Sequence, residues 1–154
     1  MSRFESLRNE LYRRQRELGG CSMFKGDEDL EGLVALFNSI EGRLFCARVG
    51  FPTIEEIRQL DKQELLKYGV YLDAGDVELV NADNVIIAGK TRAFLHYSEP
   101  NSYNVNVQYG AFAEIHASGY AVIDVFNSGG DVVEYISGNA IIIHSNKLKH
   151  NHEN

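Results

Sequence analysis

The residues whose types and spacing could do chemistry in this chain are three histidines that each close a recurring pattern. The pattern reads apolar-x-apolar-x-x-Gly-x-x-apolar-x-apolar-His. Its first copy is Val85, Ile87, Lys90, Ala93, Leu95 and His96, with the glycine one place early at Gly89. The second is Val105, Val107, Gly110, Ala113, Ile115 and His116, and the third is Val133, Tyr135, Gly138, Ile141, Ile143 and His144. On stacked strands His96, His116 and His144 would share one slot at a spacing of about 4.8 Å. Such a column suits a transition metal or a pH-sensitive ladder. The strand phase instead puts each imidazole on the outer face with no carboxylate or cysteine at its slot, which predicts solvated surface histidines and no metal site. His150 and His152 belong to a polar C-terminal stretch that reads as a frayed end.

Nucleophilic chemistry has less support. Ser98, Ser118 and Ser145 follow the repeat histidines, but no third partner accompanies them, and no G-x-S-x-G, GxxxxGK[ST], HExxH or GxGxxG is present. Glu55 and Glu56 are not a catalytic pair, because neighbours on a helix point about 100° apart. Cys21 and Cys46 make neither a disulfide framework nor a CxxC, and Cys46 reads as a small buried hydrophobe. No catalytic residue and no cofactor is predicted. A binding set is conceivable in Phe94, Phe112, Tyr120 and Phe126, all out of phase with the small inward residues of the same region. They predict a second apolar face that finds a cover, or else an aromatic platform for carbohydrate beside Asn104, Asn106 and Gln108.

The elements that must position these residues fall into two parts. Residues 1–68 read as helical. Ser2-Arg3-Phe4-Glu5 fits a capping box and Gly19-Gly20 a stop, with Phe4, Leu7, Leu11 and Leu18 forming a narrow apolar stripe in which Arg14 takes one seam position. This helix predicts packing on its own domain, or self-association through those four residues. A second helix is predicted from Asp27 or Glu28 to Ile40, then a short strand or buried connection over Arg43 to Val49. Thr53-Ile54-Glu55-Glu56 is another capping box, with Asp61 starting a separate turn before Gly69.

Residues 69–146 change to a period of two. Nine strands are predicted: Val70–Asp73, Val77–Val80, Asn84–Ala88, Thr91–Ser98, Tyr103–Tyr109, Ala111–Ser118, Tyr120–Asn127, Val132–Ser137 and Asn139–Ser145. Alanine recurs on the inward face at Ala93, Ala111, Ala113, Ala117 and Ala121, which calls for sheets that approach closely. Short strands joined at glycine corners in a repeat of this length predict an α+β chain whose C-terminal part is a β-solenoid-like stack, the alternative being an antiparallel β-sandwich. The spacing between the second and third copies predicts an extra segment, Gly119 to Phe126. Residues 147–154 are predicted to be a disordered polar tail.

Net charge is −7, yet residues 1–20 carry five Arg against three Glu. No Lys or Arg occurs between Arg92 and Lys147, so the strand region is a poor partner for nucleic acid. No apolar run is long enough to span a membrane, and the first 20 residues are too polar for a signal peptide, which predicts a cytoplasmic site of synthesis.

Two blocks, Gly50-Phe51-Pro52-Thr53-Ile54-Glu55-Glu56-Ile57-Arg58 and Tyr68-Gly69-Val70-Tyr71-Leu72-Asp73-Ala74-Gly75, resemble short uncharacterised proteins of phages and prophages of gut bacteria. Ala117-Ser118-Gly119-Tyr120-Ala121-Val122 and Asn127-Ser128-Gly129-Gly130 are similar to them too, so the resemblance spans about residues 50–143. It carries no catalytic motif and no site residue. It implies a cytoplasmic protein of a bacterial host, with a place in the virion as the further expectation. The sequence reading is thus a non-enzymatic protein acting by protein–protein contact, either with itself or with other virion proteins, as a structural component. A small acidic inhibitor of a host protein and a carbohydrate-binding module are the alternatives.

Overall fold

The computed structural model describes residues 1–20 and 22–145. Cys21 and residues 146–154, including the predicted tail with His150 and His152, lie outside the described residues. The chain divides into two compact units, Met1–Tyr68 and Gly69 onward.

The first unit is helical. Helix α1 (Arg3–Glu17) opens on the Ser2–Glu5 capping box. Leu7 and Leu11 are buried with Phe24, Leu33 and Phe51, Phe4 packs against that cluster, and Leu18 lies exposed beyond the helix end. The central part of the predicted docking stripe is therefore spent on the core of its own unit. Arg14 explains its seam position: its guanidinium pairs with Glu56 and lies 5.1 Å from the centre of the Phe51 ring.

Helix α2 (Leu30–Phe37) is shorter than expected, and the expected strand at Arg43–Val49 is instead helix α3 (Ile40–Val49). Ser39 causes both differences. Its hydroxyl accepts from the Gly42 amide at 3.0 Å and donates to the Leu36 carbonyl at 2.7 Å, ending one helix and capping the next. Gly42 sits inside the new helix, where a Cβ would come within 2.1 Å of the Leu36 carbonyl oxygen. The run Leu44, Cys46 and Ala47 is too short to distinguish a strand period from a helical one. Helices α4 (Ile54–Ile57) and α5 (Lys62–Leu66) are capped by Thr53 and Asp61.

Burial disfavours the charged form of Glu56, but the Arg14 hydrogen bond and the Thr53 amide outweigh it and hold the carboxyl below its ordinary range. A depressed carboxyl stabilises the fold above the unfolded-state pKa and loses that contribution as pH falls through the folded one. Glu56→Gln is expected to weaken the helical unit at neutral pH, with the difference from wild type fading on acidification. Urea titrations at a series of pH values check this, and a deficit independent of pH would sink it.

The second unit is a β-solenoid of about 4 turns. Strands β1 (Val70–Leu72), β3 (Val85–Ala88), β5 (Ser102–Gln108), β7 (Val122–Ser128) and β9 (Ile141–His144) form one parallel sheet. The other contains β2 (Gly75–Val80), β4 (Thr91–Tyr97), β6 (Phe112–Ala117) and β8 (Asp131–Ile136). Each of the nine predicted strands has its counterpart, and the parallel pairing excludes the antiparallel sandwich. Inward columns such as Ala93–Ala113–Val132 and Leu95–Ile115 fill the coil, so alanine lets the two sheets close on each other. Glycine is required at the second corner, where Gly119 and Gly138 have φ of 63° and 62° and stack so closely that a Cβ on Gly138 would lie 3.1 Å from the Gly119 nitrogen.

The register corrects the third repeat. Val70 pairs with Ile86, Arg92 with Phe112, and Phe112 with Asp131, so successive turns take 16, 20 and 19 residues. No extra segment exists, and Gly119 to Phe126 is an ordinary corner and strand. The true third copy is Val125, Asn127, Gly129, Val132, Glu134 and Tyr135, with Gly129 taking the left-handed corner position of Gly89 and Gly110. Residues Val133, Tyr135, Ile141 and Ile143, expected to be inward, are all exposed. The misreading has a physical origin: both corners of a two-sheet coil join two period-two strands through glycine, so the pattern matches half a turn out of phase.

Candidate functional site

The corrected register changes the company of the histidines. His96 on β4 pairs with His116 on β6, but His116 then pairs with Tyr135 on β8. The rings stack, with centres 5.1 Å and 4.8 Å apart and planes 23° and 15° from parallel. His144 is not in this column. It lies on the other sheet in register with Val125, at an inward slot of the last turn.

Each histidine also has the carboxylate that the sequence reading denied it. His96 Nε2 lies 2.9 Å from Glu78 Oε2, and His116 Nε2 lies 2.7 Å from Glu114 Oε2. Inside the last turn His144 Nε2 meets Glu134, which takes the column position held by Ile115 one turn earlier. Glu114 was legible as the residue two before His116 on the same face of a strand. Glu78 was not, because it reaches His96 from the turn before. Among the described residues no group of three or more His, Cys, Asp and Glu side chains can hold a metal ion.

Beside the ring stack runs a groove of about 210 Å³, lined on its far side by Ser98, Ser118 and Ser137. Ser118 donates through Oγ to the Tyr97 carbonyl at 3.4 Å, and among the described residues no serine there is bonded to a histidine. The stacked rings spend their faces on one another, so only edges line the groove. A sugar needs a ring face to lie on, and the free face available in this stack is that of Tyr135 at its end.

The predicted aromatic set does not assemble. Phe94 and Phe112 do meet, 6.4 Å apart on β4 and β6, but Arg92 lies over both at 5.6 Å and 5.7 Å. Phe126 is buried on the opposite sheet, and Tyr120 stands exposed in a corner. What the structure exposes on the last two strands is Val133, Tyr135, Ile141 and Ile143, which sequence reasoning treated as core, and with them Ile136; Val133 and Tyr135 lie on the outer face of one sheet, Ile141 and Ile143 on the outer face of the other. Those strands have no neighbour on their outer side among the described residues. The signal that could have found them is the 19-residue step, which places Glu134 beneath Ile115 and marks the turn as terminal.

No helix among the described residues is long and apolar enough to cross a membrane. No family model, no curated protein and no solved structure matches this chain.

Proposed function

We propose that this chain is a non-enzymatic protein that works by protein–protein contact through the open end of its solenoid. One observation carries the reading: five large apolar side chains are exposed on β8 and β9, on the two strands whose outer edges are unpaired among the described residues. Apolar residues on a free strand edge are a template for another chain, and soluble proteins ordinarily blunt such edges. The stacked coil supplies a rigid rod to present that end. With this goes the role of an oligomeric structural component, and the resemblance over residues 50–143 supports a phage or prophage assembly, formed in the bacterial cytoplasm, as its setting.

A photo-reactive phenylalanine analogue placed at Val133 tests the reading. Irradiation in native cell extract should yield protein adducts, while the same group at Glu55 should yield few. Absence of any adduct at Val133 would remove contact through this end.

A further inference from the structure

We infer that the partner at the open end is a second copy of this chain, docked about a two-fold axis that passes through Tyr135 and Ile143. The inference rests on the reading of that end as a contact surface, and the strand register decides its geometry.

Head-to-tail stacking, which would lay β2 and β1 of a second copy on β8 and β9, fails on register. Asp76 and Asp131 belong to one column, separated within the chain by Arg92 and Phe112. Stacked end to end, the two carboxylates would be direct neighbours, and Leu79 would sit on Glu134. The other sheet is worse matched. Strand β1 occupies the columns of Asn106 to Gln108, whereas β9 occupies those of Ser102 to Val105. Nothing in β1 would meet β9.

A two-fold axis normal to both sheets has neither fault. It sets β8 antiparallel to β8 of the second copy and, in the same movement, β9 antiparallel to β9. The inward contact between Glu134 and His144 shows which residues face each other across the coil, and it places Tyr135 opposite Ile143. Side-chain alternation requires that each residue meet one of the same face, so the axis must pass through a residue. At Glu134 it would bring two carboxylates together. At Val133 it would leave Tyr135 opposite Asp131 and carry Ile136 past the start of the partner strand.

At Tyr135 and Ile143 every pairing is compatible. Glu134 meets Ile136, His144 meets Ile142, Val133 meets Ser137, and Ile141 meets Ser145. Tyr135 meets its own copy, so the stack His96–His116–Tyr135 continues into a ladder of six rings. Each of Val133, Tyr135, Ile136, Ile141 and Ile143 gains a neighbour across the new strand pairs, and no acid opposes an acid. The interface closes on itself, which gives a dimer and not a filament.

Directly opposed residues of an antiparallel pair have Cα atoms about 4.5–5.5 Å apart, within the roughly 4.4–6.8 Å that a disulfide spans. In a background with Cys21→Ser and Cys46→Ser, Tyr135→Cys and Ile143→Cys should each give a disulfide-linked dimer on mild oxidation. Phe94→Cys should give no disulfide-linked dimer. Light scattering on the unmodified chain should give twice its mass of 17.3 kDa, falling to the monomer in Ile143→Lys. A monomer at every concentration overturns the inference, as does a mass that keeps growing with concentration. If the purified chain is monomeric while Val133 captures a different protein, the dimer is wrong and the contact reading stands. If Val133 captures nothing, both fall.

Discussion

Ile115→Ala is expected to destabilise the solenoid by about 2–5 kcal/mol, the cost of emptying a fully enclosed branched site. Ile115 has no exposed surface and lies between Leu95 and Glu134 in an inward column, at the middle of the coil. Both sheets are held at a separation set by alanines on neighbouring columns, so the walls have little room to collapse into the hole. Ile143→Ala removes the same atoms from a site that is 40% exposed and should cost far less in the isolated chain. Hydrogen exchange read peptide by peptide separates them: protection across β4 to β7 should fall steeply in the first variant and little in the second. Equal losses would mean that the inward and outward assignments of the last two turns are wrong.

Phe51→Ala should be the most damaging single change in the helical unit, at about 3–5 kcal/mol. Phe51 is fully buried and takes part in two edge-to-face contacts, with Phe37 at 6.0 Å and Phe45 at 6.2 Å. Phe37 in turn leads to Phe24 and Tyr12, so one ring ties α1, α2 and α3 into a single cluster. Its removal also takes the surface beneath the Arg14 guanidinium, and with it part of what holds Arg14 against Glu56. Loss of protection in residues 3–17 and 30–49 is the expected result. If Phe51→Leu is as damaging as Phe51→Ala, volume is not what matters there and the cavity argument fails.

The two units were legible to different degrees. Capping boxes at Ser2 and Thr53 identified helix starts because they are local chemistry, complete within four residues. Ser39 did the same work without a Glu or Gln three residues on, having Gly42 there instead, and its cap was missed, along with the helix it opens. In the strand region, period and glycine corners found all nine strands, since alternation is written residue by residue. The same alternation put Ala93, Ala113, Ile115, Ile123 and Val125 in the core, where they are.

Sequence by itself therefore determined the elements and which way most side chains point. Tertiary structure decided which residue lies over which. That difference is physical: a strand's period is set by its own backbone, but its neighbour in a parallel coil arrives a full turn later, and that turn can take 16, 19 or 20 residues without altering the period of either strand. Three histidines that share a motif thus part company. His96 and His116 stack, Tyr135 completes their column, and His144 turns inward to Glu134 at the end of the coil. The exposed apolar end on β8 and β9 became visible only when that one-residue shortening of the last turn was known.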